Sequence, residues 1–121
     1  MTRLSMLVAQ VLHDLDPGGK KYGPTVSYLP GDTESHLDLL IEDDTGMGCG
    51  FSLDTSWSDQ EVLYELADRL PTAFVELYAV GLPLVPGTQR PATPEIIGNS
   101  VVWKDPAGSV GWTCPVGQYA A

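Results

Sequence analysis

Near the start of the chain, apolar residues recur at Leu4, Leu7, Val8, Val11, Leu12 and Leu15. That i, i+3, i+4 rhythm lines one face of a helix. The spacing predicts a helix over about residues 3 to 15, ended by Asp16-Pro17-Gly18-Gly19. Lys20 and Lys21 then fall in a turn, and the period changes. Pro24 to Pro30 reads as a strand with Val26 and Tyr28 on one face, and Gly31-Asp32-Thr33-Glu34 has turn chemistry. From His36 to Asp44, Leu37, Leu39 and Ile41 alternate with His36, Asp38, Glu42 and Asp44, and only Leu40 breaks the polar face. Such alternation marks a half-buried antiparallel strand. Thr45-Gly46-Met47-Gly48 turns the chain into a third strand, Cys49 to Asp54, completing a meander.

The strongest local signal follows. Ser58 stands three residues before Glu61, the spacing of a capping box, with Trp57 and Val62 placed as a hydrophobic staple. Asp59 and Glu61 occupy the first turn, where the helix dipole favours acids. Val62, Leu63, Leu66, Ala67, Leu70, Phe74, Leu77 and Tyr78 make the apolar stripe of a long helix, which Pro71 should kink and Gly81 should end. Gly81 to Pro94 is Pro-rich and irregular. Glu95-Ile96-Ile97 and Val101 to Lys104 read as strand around Gly98-Asn99-Ser100. Asp105-Pro106-Ala107-Gly108 is a turn, and Ser109 to Cys114 returns as a hairpin arm with Val110 and Trp112 on one face. The expected fold is α+β: an N-terminal helix, a three-stranded antiparallel meander, a long kinked helix, a Pro-rich loop and a C-terminal β-hairpin.

Composition narrows the function classes. The 121 residues carry 16 acidic and 6 basic side chains, a formal net charge of −10. That length suits one domain over residues 1 to 121. So acidic a chain is a poor match for nucleic acid, whose phosphates call for clustered Lys and Arg. It suits an anionic membrane surface no better. The first fourteen residues look superficially like a short signal peptide, but their rhythm is helical and Asp14, Asp16 and Pro17 follow where small residues would mark cleavage. The expectation is a mature cytoplasmic protein. Cys49 and Cys114 are too few for a disulfide scaffold and read as small buried hydrophobes, with a single bridge as the alternative.

Residues 82 onward resemble small, uncharacterised bacterial proteins with a zinc-ribbon-like C-terminal tail. Leu82-Pro83-Leu84-Val85-Pro86-Gly87-Thr88-Gln89-Arg90-Pro91 keeps the prolines and Gly87 of their Trp-Pro-x-Cys-Pro-Gly-His-x-His-Pro run. Val102-Trp103-Lys104-Asp105-Pro106 keeps Trp103 and Pro106 of their Val-Trp-x-Cys-Pro segment. Val85, Thr88, Arg90 and Asp105 stand where the ligands would be. Structural zinc needs thiolates and imidazoles, so the resemblance implies a degenerate ribbon over residues 82 to 121, packed on the rest and holding no metal. It implies fold context rather than an activity.

Motifs for chemistry are sparse. Asp44-Thr45-Gly46 matches the loop with which aspartic proteases present a carboxylate, and Ile96-Ile97-Gly98-Asn99 echoes a second element of the retroviral type. A dimer would supply the second carboxylate of the dyad. The plainer reading is a hairpin turn, since Glu42 and Asp43 replace the apolar residues that bury that loop. His36, Asp38 and Ser52 could be assembled into a triad only across a strand face. Gly46, Gly48 and Gly50 lack the Lys-Ser/Thr of a phosphate loop. His13 complements the end of the first helix. No cofactor is indicated. What remains is charge: Asp38, Glu42 and Asp44 from one strand face, Asp54 beside them, a second acidic stripe of Asp59, Glu61, Glu65 and Asp68, and Trp112 as an aromatic contact. Asp38, Glu42, Asp44, Asp54 and Trp112 are therefore the candidate binding residues. The expected function is a small acidic, non-catalytic module that binds a protein with a basic surface, of inhibitor or immunity type. The alternative is a dimeric aspartyl hydrolase using Asp44.

Overall fold

A computed structural model describes residues 2–31, 34–108 and 111–120. Helix α1, Arg3–Leu15, begins at Thr2, whose side chain accepts from the Ser5 N–H, and buries Leu7, Val8, Val11 and Leu15. It stops where expected, and Asp16 shows how. Its carboxylate accepts from the backbone N–H groups of Lys21, Tyr22 and Gly23 at 2.8–3.1 Å, folding the glycine-rich loop back on itself. Burial alone would raise the Asp16 carboxyl pKa; the three N–H donors and the Lys21 charge outweigh it and hold it below its ordinary 3.8.

Strands β1 (Thr25–Pro30), β2 (His36–Glu42) and β3 (Gly48–Asp54) form an antiparallel sheet in the order β1-β2-β3. Leu39, Ile41 and Leu53 are buried on its inner face against helix α2, Asp59–Tyr78. The capping box is complete: Glu61 N–H donates to Ser58 Oγ at 3.2 Å, and Ser58 N–H donates to Glu61 Oε1 at 3.1 Å. Pro71 does not divide the helix, which runs as one element from Asp59 to Tyr78. Nor does Gly81 end it. Ala79 takes the left-handed cap with φ 56, and its N–H bonds to the Val75 carbonyl. Gly81 instead lets the chain pass Pro91, because a Cβ there would lie 2.6 Å from the Pro91 Cγ.

The C-terminal part holds more strand than expected. Strands β4 (Thr93–Ile97), β5 (Ser100–Lys104) and β6 (Thr113–Pro115) form a second three-stranded antiparallel sheet rather than a lone hairpin. Gly98 at φ 60 opens the two-residue β4–β5 connection, as a type II′ turn requires. The return arm starts at Thr113, later than the periodicity indicates; in the turn before it Asp105 Oδ1 accepts from Ala107 N–H at 3.0 Å. Ser109 and Val110 lie outside the described residues. Trp103, fully buried on central strand β5, belongs to one core that gathers side chains of both helices and both sheets. Among the described residues, no helix is long and apolar enough to cross a membrane.

Candidate functional site

The hydrogen bond from Gly31 N–H to the His36 carbonyl, at 3.1 Å, sets the phase of the β1–β2 ladder. Bonded pairs alternate, so Thr25, Ser27 and Leu29 pair with Glu42, Leu40 and Asp38 through the backbone. Val26 and Tyr28 therefore turn their N–H and C=O groups to the open edge of β1. Side chains alternate likewise. The outer face of the sheet carries Thr25, Ser27 and Leu29 on β1, His36, Asp38, Leu40 and Glu42 on β2, and Gly48, Gly50, Ser52 and Asp54 on β3. Three of these positions are carboxylates and none is Lys or Arg. Gly50 keeps the surface flat beside Leu40, since a Cβ on it would sit 3.0 Å from the Leu39 carbonyl oxygen.

Asp38, Glu42 and Asp54 thus share one face. Ser52 Oγ donates to Asp38 Oδ1 at 2.5 Å, and His36 Nδ1 lies 3.4 Å from Ser35 Oγ. A catalytic triad needs the imidazole between hydroxyl and carboxylate; here the hydroxyl meets the carboxylate directly. Asp54 Oδ1 accepts from Ser56 Oγ at 2.6 Å and Ser56 N–H at 2.9 Å, which lowers its carboxyl pKa.

Asp44 departs from expectation. Strand β2 ends at Glu42, so Asp44 sits exposed at the hairpin tip rather than on the strand face. Its neighbour Asp43 builds the turn, accepting from Thr45 Oγ1 at 2.6 Å, Thr45 N–H at 2.9 Å and Met47 N–H at 3.0 Å. The Thr45 hydroxyl leads these in lowering the Asp43 pKa. Trp112 lies in the C-terminal unit, where the hairpin reading puts it, half-buried and edge-on to Tyr119 with ring centroids 6.2 Å apart.

Sequence reasoning missed the buried carboxylates. The Asp14 side chain is fully buried and accepts from the Trp103 indole N–H at 2.7 Å, Gly117 N–H at 2.6 Å and Tyr119 N–H at 3.1 Å, with His13 Nδ1 at 2.9 Å. An acid on the apolar side of a helix is the available signal: Asp14 lies three residues after Val11, on the stripe. The four positions that the ribbon resemblance assigns to ligands also meet. Val85 N–H donates to the Arg90 carbonyl at 2.8 Å, and Thr88 Oγ1 donates to the Val85 carbonyl at 2.8 Å. Arg90 grips the buried Asp105 carboxylate through Nε at 3.3 Å and Nη2 at 3.0 Å, which raises the guanidinium pKa. Among the described residues, no group of three or more His, Cys, Asp or Glu is placed to hold a metal ion. Cys49 and Cys114 are free and half-buried, and burial pushes both thiols up.

Comparison of the chain with family models, with characterised proteins and with solved structures finds no match.

Proposed function

We propose that this protein works by docking: a small acidic, non-catalytic module of inhibitor or immunity type that covers a basic surface of another protein. The observation that carries this reading is the outer face of the first sheet. Among the described residues helix α2 packs on the inner face, as on an antiparallel sheet with one solvated side. Asp38, Glu42 and Asp54 project from that open side without a Lys or Arg among them. Complementary charge steers encounter and sets partner choice more than it sets affinity. The free cysteines fit a reducing compartment such as the cytoplasm. The C-terminal unit serves as scaffold in this reading, and the Arg90–Asp105 pair joins two of the positions that the ribbon resemblance assigns to ligands.

The test is capture from lysate of the source cells at low and moderate salt, comparing the natural chain with the Asp38→Lys/Glu42→Lys variant. A stoichiometric basic protein should be retained by the natural chain, released as salt rises, and missing from the variant. Asp38 and Glu42 are half-buried and Asp38 accepts from Ser52 Oγ, so urea unfolding of the variant accompanies the capture, and a variant that is still folded reports on binding. An identical set of bound proteins overturns the reading.

A further inference from the structure

The first sheet has two free edges, and the sequence treats them differently. On β1 the outward backbone groups belong to Val26 and Tyr28, with Pro24 and Pro30 next in the same phase. Neither proline has an N–H to offer, and prolines so placed blunt an edge against further pairing. For β3, the Asp43 N–H donates to the Met47 carbonyl at 2.9 Å, and at the far end the Thr55 N–H donates to the Ser35 carbonyl at 2.7 Å. Bonded pairs alternate, so Cys49, Phe51 and Leu53 face β2 through the backbone, while Gly48, Gly50 and Ser52 turn their N–H and C=O groups outward. Among the described residues no strand pairs with that edge. It carries no proline, and no charged residue from Gly48 to Leu53.

The outer face beside this edge leans toward it. Gly48 and Gly50 have no side chains, and those of β2 lie over them. A Cβ on Gly48 would sit 3.0 Å from the Glu42 Cγ, and one on Gly50 would sit 3.8 Å from the Leu40 Cδ1. Asp38 also reaches toward β3, where Ser52 Oγ donates to it at 2.5 Å. A strand added here would meet Glu42 across Gly48, Leu40 across Gly50 and Asp38 across Ser52. It would lie two strand spacings, about 10 Å, from β2. The stem of a lysine or arginine bridges that gap where β3 has little or no side chain between. The inner side of the edge differs, since Phe51 lies there with the Arg69 guanidinium 5.8 Å from the centre of its ring. Small uncharged side chains suit that side.

We infer that the β3 edge takes an extended segment of the protein partner as an added antiparallel strand, with the pattern basic, small, apolar, small, basic. The backbone groups of Gly48, Gly50 and Ser52 hold the segment in register. One basic residue pairs with Glu42, the apolar residue covers the half-buried Leu40, and the second basic residue answers Asp38. The basic character follows from the carboxylates, because no Lys or Arg on the outer face competes for them. A second copy of this chain does not fit, since its own β3 would bring glycine and serine to these rows and more carboxylates behind them. The inference rests on the docking function proposed above and adds to it the edge, the direction and the sequence pattern of the bound segment.

The probe is the capped peptide N-acetyl-Thr-Lys-Thr-Val-Thr-Lys-Thr-amide, titrated into the ¹⁵N-labelled chain. Two companion peptides separate charge from pairing: one carries norleucine for both lysines, the other N-methyl-valine at the centre. The amides of Gly48, Gly50 and Ser52 should shift saturably in the millimolar range, and those of Val26 and Tyr28 should stay in place. N-methylation removes one backbone hydrogen bond and should weaken binding about fivefold or more. Norleucine removes two partly exposed ion pairs and should weaken it about three- to tenfold. Glu42→Gln should weaken the lysine peptide about two- to fivefold and leave the norleucine peptide unchanged. An unmoved Trp103 indole signal reports that this variant is folded. Shifts at Val26 and Tyr28 in place of the β3 amides, equal binding of the norleucine peptide, or no saturable shift in the millimolar range would each overturn the inference. Salt-sensitive binding that N-methylation does not weaken would overturn the added strand alone, and the docking function would still stand or fall on the capture experiment.

Discussion

The sheet of β1, β2 and β3 and the sheet of β4, β5 and β6 match in strand number and in antiparallel pairing, but different forces hold them. The first rests on Leu39, Ile41 and Leu53, three apolar side chains buried in one core with Val62 and Leu66 of α2. The second centres on Trp103, whose indole N–H cannot be buried without a partner. Asp14 supplies that partner and gathers the backbone of Gly117 and Tyr119 at the same carboxylate. Tyr119 in turn donates its hydroxyl to the Leu84 carbonyl at 2.6 Å, and Arg90 locks Asp105. Apolar contact is non-directional and tolerates repacking. A buried carboxylate with several donors accepts one geometry and is costly to leave half-satisfied.

The comparison can be broken most forcefully at Asp14. Asp14→Ala strands three buried or half-buried N–H donors and should cost about 3 kcal/mol or more. Urea unfolding would read the loss, and amide exchange should show it concentrated in residues 113–119. A cost under about 1 kcal/mol would mean that the second sheet is held by apolar contact like the first. Ser58→Ala, which opens the capping box, should cost about 1 kcal/mol and loosen α2 without selecting either sheet.

Acid should distinguish the two sheets more gently. The carboxyls of Asp16, Asp43 and Asp54 are held below their ordinary 3.8, and they sit in the loop before β1 and the turns flanking β3. A depressed folded-state pKa gives stability that is complete above the unfolded value and fades as pH falls through the folded one. The first sheet's turns should therefore lose protection below about pH 4, measurable as accelerated amide exchange at Lys21–Gly23, Thr45–Met47 and Ser56. Uniform exchange across that range would remove these carboxylates from the account.

The same contrast explains how much of the molecule was legible beforehand. Alternation at Leu37, Leu39 and Ile41, the rhythm of α1 and the Ser58–Glu61 pair are local signals, and each located its element. Asp38, Glu42 and Asp54 share a face because the strands alternate as read. Asp44 fell off that face because a strand's last residues answer to the turn, here organised by Asp43. Ala79 in a left-handed cap defied the preference for glycine, since Gly81 was already committed to passing Pro91. Asp14 left little local trace: its partners lie far along the chain, and residue type alone does not report a hydrogen bond across 89 positions.

The Asp14 contacts also order events during synthesis. The carboxylate is made early, but its partners follow 89, 103 and 105 residues later. Until Gly117 and Tyr119 have left the ribosome, the first helix cannot settle into its final seat without burying a charge short of donors. The meander and α2 depend on nearer neighbours and can associate first, with closure of long loops left to the end. The first helix is thus latched down by peptide groups 103 and 105 residues further along the chain.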